Sequence, residues 1–187
     1  DIVPGAFKAD LFRYCFLFKK GGVYLDINKK LVTPMRVFVH PQATMGLVLN
    51  SNHTSAEPPK IINGFIYIVQ GHPLMKEMVD RCVRNIQNKF YGDSPLSVTG
   101  PYLLGEVFRE MMMGKSLYGL GTGVHYIRHE VVHVMIYREK ESIEDPFSQT
   151  SVMLFNNAPK NCMSTSAPPV LSYPIFWKER KIYKSDS

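Results

Sequence analysis

The sequence predicts an α/β fold, because helical and strand patterns follow one another along the chain. Residues 5–20 repeat apolar side chains at helical spacing, residues 23–28 alternate from face to face, and the β-rich run of residues 60–73 leads into a second helical segment. The 187 residues, 45% hydrophobic and 12% aromatic, suffice for one substantial core and are too few for two large domains. Residues 1–187 are therefore read as a single domain.

The first helix runs from about Gly5 to Lys20. Phe7, Leu11, Cys15 and Phe18 recur on one stripe, with Asp10, Arg13 and Leu17 on the adjoining one, so Asp10 and Arg13 are neighbours. On spacing alone they form an intrahelical pair. Lys19 and Lys20 suit the negative end of the helix, and Gly21-Gly22 tolerates the left-handed backbone that ends it.

The strand that follows, Val23 to Asn28, puts Val23, Leu25 and Ile27 on one side and Tyr24, Asp26 and Asn28 on the other. Asp26 and Asn28 would then lie ~6.6 Å apart along the strand, two oxygen-bearing side chains leaving its carboxyl end together. In open α/β sheets ligands bind at that end of the strands. The plain alternative is a surface Asp and Asn opening a turn before Lys29 and Lys30.

Lys60 to Pro73 reads as an apolar strand closed by a turn at Gly71-His72, with Asn63 at its start, and a helix continues from Pro73 to about Phe90. Leu74, Met78, Cys82, Val83 and Ile86 give that helix its buried side. Thr99 is placed to cap a helix opened by Pro101, with Leu104, Val107, Phe108 and Met111 on its apolar face. Met111 to Met113 read as core packing. The aromatic and charged tail from Tyr173 to Tyr183 reads as a segment docked over the core, with Trp177 alternatively a ring that faces a ligand.

Taken together, Ala9-Asp10, Arg13-Tyr14, Gly21-Gly22, Val23, Tyr24-Leu25 and Asp26-Ile27-Asn28 resemble the glycosyltransferase sugar-binding family with a DXD motif. That family includes initiating α-1,6-mannosyltransferases and is related to the glucosylating domains of large clostridial toxins. The resemblance spans roughly Pro4 to Phe108, with Asn63, the Gly71-His72-Pro73 turn and Thr99-Gly100-Pro101 as later points of likeness. It implies a GT-A-like nucleotide-diphospho-sugar transferase fold with a mixed central sheet, and one catalytic domain. It further implies a hexosyltransferase, of mannosyltransferase-like kind, that moves a hexose from a nucleoside diphosphate sugar to a glycan or other hydroxyl acceptor with retention.

By the same resemblance Asp26 and Arg13 are catalytic, and Asp10, Arg13, Tyr24, Asp26 and Asn63 bind donor. Asp26 and Asn28 would hold Mn²⁺ or Mg²⁺. Asn28 stands where the family has a second Asp, and an amide oxygen brings no charge, so metal binding is expected to be weakened. Family members also carry a first β-α-β portion upstream of the helix; the resemblance implies a chain shortened on that side, without much of the base-binding half.

His129-Glu130-Val131-Val132-His133 fits the H-E-x-x-H zinc pattern, which requires a helix. The β-branched residues around it favour a strand, where histidines four residues apart lie ~13 Å apart. A zinc metalloprotease therefore ranks last. A non-catalytic sugar-nucleotide or glycan-binding module, motivated by Asn28, is the alternative of a different class. The net charge of +6 suits phosphate-bearing ligands, but the basic residues are scattered and carry no nucleic-acid motif.

No apolar stretch reaches the ~18 residues of a spanning helix, and the first residues do not read as a signal peptide. Cys15, Cys82 and Cys162 lack C-x-x-C spacing and are expected to be free, the first two buried. Asn52-His53-Thr54 is a formal glycosylation sequon in the loop 50–59, and residues 156–169 form a second loop. The sequence leaves a secretory lumen and a cytosolic location of bacterial or viral type both open.

Overall fold

The computed structural model describes residues 2–50, 60–113, 120–138, 142–145, 150–155 and 173–184. Cys162, the sequon and the two long loops lie outside the described residues.

Helix α1 covers Gly5–Lys20 and stops where Gly21 (φ 65°) and Gly22 (φ 92°) enter the left-handed region. A Cβ on Gly21 would meet the Gln70 backbone nitrogen at 2.5 Å, so both space and conformation require glycine there. The stripe α1 buries is Phe7, Arg13, Tyr14 and Leu17. Leu11 and Phe18 are only half-buried and Cys15 is exposed, against the expectation of a buried thiol. The stripe is displaced because Arg13, an ionic residue, turns inward to meet partners on the sheet.

Strand β1 (Gly22–Leu25) ends before Asp26, and the backbone then turns, closed by Lys29 N donating to Asp26 O at 3.0 Å. Asp26 and Asn28 thus share a tight turn rather than a strand face, as the plainer sequence reading allowed. Strand β2 (Lys29–Leu31) and the short helix α2 (Met35–Phe38) follow. Then come β3 (Met45–Asn50), β4 (Phe65–Ile68), α3 (Pro73–Gln87) and α4 (Pro101–Phe108), which runs into a π-helical turn at Arg109–Met113. Strands β5 (Gly123–Ile127), β6 (Glu130–Arg138), β7 (Ser142–Asp145) and β8 (Thr150–Phe155) precede helix α5 (Tyr173–Lys178).

The strands form one mixed sheet in the order β1-β4-β3-β6-β7-β8-β2, with β5 also paired to β6. The β3–β6 pair is parallel and the others are antiparallel. Because β1 and β2 are joined by only three residues yet stand at opposite ends of that order, the sheet must curl until its ends meet at Asp26–Asn28. One face packs Met45, Leu47, Ile66, Ile68, Val132 and Val134 against α1, α3 and α4. The other side chains of the same strands, among them Val48, Phe65, Tyr67 and Met135, fill the inside of the curl with Phe38.

Helix α3 buries Leu74, Met75, Met78 and Cys82, while Val83 is exposed. His72 caps it, its Nδ1 accepting from Leu74 N at 3.0 Å, which is the turn role expected of it. The cap of α4 is Gly100 rather than Thr99, whose side chain is drawn elsewhere. The tail docks as expected: Trp177 Nε1 donates to Tyr91 O at 2.6 Å, and Tyr183 packs with Ile2, Phe7, Val98 and Ile182.

The H-E-x-x-H segment is not helical. His129 (φ 71°) sits in the two-residue turn between β5 and β6, and His133 is inside β6. Both ring nitrogens of His133 are engaged, Nδ1 with the Tyr67 hydroxyl at 2.8 Å and Nε2 with Asp145 Oδ1 at 2.9 Å, so neither offers a lone pair to zinc. Among the described residues no three His, Cys, Asp or Glu side chains gather as a metal set.

Candidate functional site

A cleft of about 260 Å³ opens where α1, the turn after β1 and the turn before β4 converge, closed at the side by residues 95–101 and by Tyr173. Asp10, Arg13, Asp26 and Asn63, all singled out from the sequence, line it together. Arg13 organises them. Its Nη2 lies 3.1 Å from Asp10 Oδ1, and its Nη1 donates to Asn63 O at 2.6 Å and to Asp26 Oδ1 at 3.3 Å. The side chain is only 8% exposed, so these bonds form in a medium of low effective dielectric, where removal of one partner strands the other charge.

Tyr24 completes the cage from the strand: its ring lies 4.5 Å from the guanidinium carbon, and its hydroxyl donates to Asp26 Oδ1 at 3.0 Å. Asn63 reaches back to the helix, its Nδ2 donating to Asp10 Oδ1 at 2.9 Å and to the Tyr14 hydroxyl at 3.0 Å. Each of the five predicted donor residues therefore belongs to one hydrogen-bonded cluster. The intrahelical pair of Asp10 and Arg13 read from spacing is present, but it is buried and tied to Asp26 and Asn63 as well.

Thr99, assigned to a helix cap on sequence, instead donates its Oγ1 to Asp10 Oδ2 at 2.9 Å and is fully buried. The Thr-Gly-Pro resemblance was the signal that could have placed it here. Gly100 stays small because a Cβ would stand 3.0 Å from Leu96 O and 3.5 Å from Asp10 Oδ2. Tyr173 lines the cleft edge-on to Phe7, with ring centroids 5.8 Å apart, whereas Trp177, the ring considered from sequence, bonds away from it. No local pattern around Tyr173 announces this; it arrives from the far end of the chain.

Burial raises the Asp10 carboxyl from 3.8 to about 6, despite the opposing pull of Arg13 and the hydrogen bonds from Thr99 and Asn63. Burial likewise pushes the Tyr14 phenol far up, with the nearby Asp10 charge adding to it. Lys29 is lowered by the same desolvation, partly offset by attraction to Asp26. A carboxyl displaced by desolvation and paired inside a cleft is the kind of group that marks a working site.

The oxygens that the D-x-D spacing would present to Mn²⁺ or Mg²⁺ are already engaged. Asp26 Oδ1 holds Arg13 and Tyr24, Asp26 Oδ2 lies 3.7 Å from Lys29 Nζ, and Asn28 Oδ1 accepts from Lys29 Nζ at 3.3 Å. One carboxylate and one amide, both attached to cations, are a poor set for an ion that wants several free oxygens. The residues present do not fit the metal.

A solved structure, the PaToxG glycosyltransferase, aligns with a TM-score of 0.45 and 22% identity over 59% of this chain. This chain spans 36% of that protein. No curated protein matches the chain. Residues 3–46 match the model of the glycosyltransferase sugar-binding region containing a DXD motif, a segment that carries Asp10, Arg13, Tyr24 and the Asp26-Ile27-Asn28 turn. Over those residues the chain is similar to the sugar-binding region of the DXD-motif glycosyltransferases.

Proposed function

We propose that the chain is a glycosyltransferase unit that transfers a hexose from a nucleoside diphosphate sugar to a hydroxyl of a glycan or similar acceptor. The observation that carries this is the buried Arg13 held between Asp10 and Asp26 at the cleft, within the matched sugar-binding segment. Carboxylates aligned by an arginine accept hydrogen bonds from sugar or ribose hydroxyls in a fixed geometry, and the arginine charge favours the diphosphate as it departs. Asp26 is the principal candidate, since its side chain remains 32% exposed to the cleft. Asp10 and Asn63, in the same cluster, orient donor hydroxyls, and Tyr24 keeps Arg13 and Asp26 in register.

In the retaining reaction the C1–oxygen bond to the diphosphate breaks while the acceptor oxygen bonds C1 on the same face. The positive charge on the sugar ring in between resembles an oxocarbenium ion. The acceptor proton passes to the departing phosphate oxygen. Tyr173, at the rim, is placed to meet the acceptor or the sugar with its ring. Mannose as the sugar rests on the family resemblance alone.

The non-catalytic binding module is favoured by one observation, the neutral Asn28 bonded to Lys29. Calorimetric titration with UDP, GDP and their hexose conjugates, followed by turnover assays with simple glycan acceptors, separates the readings. The enzyme reading expects donor binding and hexose release, both lost in a folded Asp26→Ala variant. Binding without turnover gives the module, and full turnover in Asp26→Ala sinks the site.

A further inference from the structure

Lys29 follows the Asp26-Ile27-Asn28 turn and folds back over it. Its side chain is 3% exposed, and its ammonium lies 3.3 Å from Asn28 Oδ1 and 3.7 Å from Asp26 Oδ2. A positive charge therefore already stands between the two side chains that a D-x-D spacing offers to a cation. The replacement of a second aspartate by Asn28 fits this neighbour: a neutral amide oxygen accepts from the ammonium, and a second carboxylate is not needed to hold it. Arg13 brings another fixed positive charge to the same carboxylate from the other side, at 3.3 Å from Asp26 Oδ1.

Among the described residues of the cluster, Arg13 and Lys29 stand against Asp10 and Asp26. A divalent ion entering the turn would have to take Asp26 Oδ2 and Asn28 Oδ1 from Lys29 while lying close to two like charges. We infer that Lys29 is a built-in cation that takes the place of the divalent metal at this turn, so that the cleft holds a nucleoside diphosphate without metal. Lys29 is a positioning residue: it acts through Asp26 and Asn28, fixing their oxygens and neutralising Asp26 so that phosphate can approach. The diphosphate half of the inference rests on the donor reading above; the metal half does not.

The test is Mn²⁺ titration followed by electron paramagnetic resonance, on the natural chain, Asn28→Asp, Lys29→Met and the double variant Asn28→Asp/Lys29→Met, without nucleotide. The natural chain and Asn28→Asp should bind Mn²⁺ no more tightly than Asp26→Ala does, while the double variant gains at least tenfold in affinity, a gain lost when Asp26 is also replaced. A stoichiometric Mn²⁺ site in the natural chain that Asp26→Ala abolishes overturns the inference, as does a tight site in Asn28→Asp with Lys29 in place. These two measurements stand even if removal of Lys29 prevents folding.

Calorimetry with UDP and GDP then reads the second half. Affinity should be unchanged between EDTA and Mn²⁺, and metal-dependent affinity overturns it. Failure of both nucleotides to bind sinks the donor reading, and with it metal-free diphosphate binding, while the Mn²⁺ result continues to decide the role of Lys29.

Discussion

Asp10 is a tightly held charge, since one oxygen serves Arg13 and Asn63 and the other Thr99. Its carboxyl is raised from 3.8 to about 6 by burial, so the native state holds the proton more tightly than the unfolded chain does. The associated stability is fully present below about pH 4 and is lost as pH rises through about pH 6. Asp10→Asn removes that titration while keeping an acceptor for Thr99. The stability of Asp10→Asn relative to the natural chain should therefore climb by a few kcal/mol between those pH values, as read by urea unfolding. Parallel curves for the two proteins would show that Asp10 does not titrate in this way. The family resemblance pointed to Asp10, Arg13, Tyr24, Asp26 and Asn63, which the structure brings together; spacing alone gave only an intrahelical pair and a turn. Sequence reasoning missed the partnership of Thr99 with Asp10 because that bond crosses 89 positions of the chain.

At the level of elements, α1, α3 and α4 were legible, while the short helices α2 and α5 and the strand ends were not. Helix α1 and the start of α3 announce themselves through apolar periodicity, Gly21-Gly22 and Pro73, all local signals. Strand β1 stops at Leu25 because the backbone turns back at Asp26, where Lys29 N bonds to Asp26 O, and β3 exists because β4 and β6 flank it; neither fact is written in a short window of sequence. The junction of β1 and β4 also explains Gly64. A Cβ there would stand 2.5 Å from Asp26 Oδ2 and 2.8 Å from Lys29 Cε. Gly64→Ala should displace the Asp26 carboxylate and weaken UDP or GDP binding by at least tenfold. The loss of stability should stay within the roughly 1–3 kcal/mol typical of a small overpacking. Calorimetry beside a denaturant curve reads both, and undiminished binding in the variant would remove Asp26 from the donor site.

On the scale of the whole molecule, the curled sheet and the docked tail make one wall of the cleft depend on residues far from it. Val3 N donates to Ile182 O at 2.7 Å, Ile2 bridges to Tyr183, and Tyr183 hydroxyl reaches Asn85 O at 3.3 Å, so the tail ties the start of α1 to the end of α3. Ile182 is fully buried in that knot beside Phe7, and Phe7 supports Tyr173 at the cleft. Ile182→Ala removes the packing beneath the wall and leaves every polar group of the site in place. It should cost about 2–5 kcal/mol of stability, the usual range for emptying a buried aliphatic position. Because Tyr173 then loses its backing, KM for acceptor should rise more than the affinity for UDP or GDP falls, since Asp10, Arg13 and Asp26 are bonded to one another and to Tyr24, Asn63 and Thr99, all outside the tail. Unfolding curves with acceptor-dependent kinetics measure the two effects. An equal loss of nucleotide and acceptor binding would show instead that the tail holds α1 itself in place, and that the Arg13 cluster is assembled only when the ends of the chain are knotted.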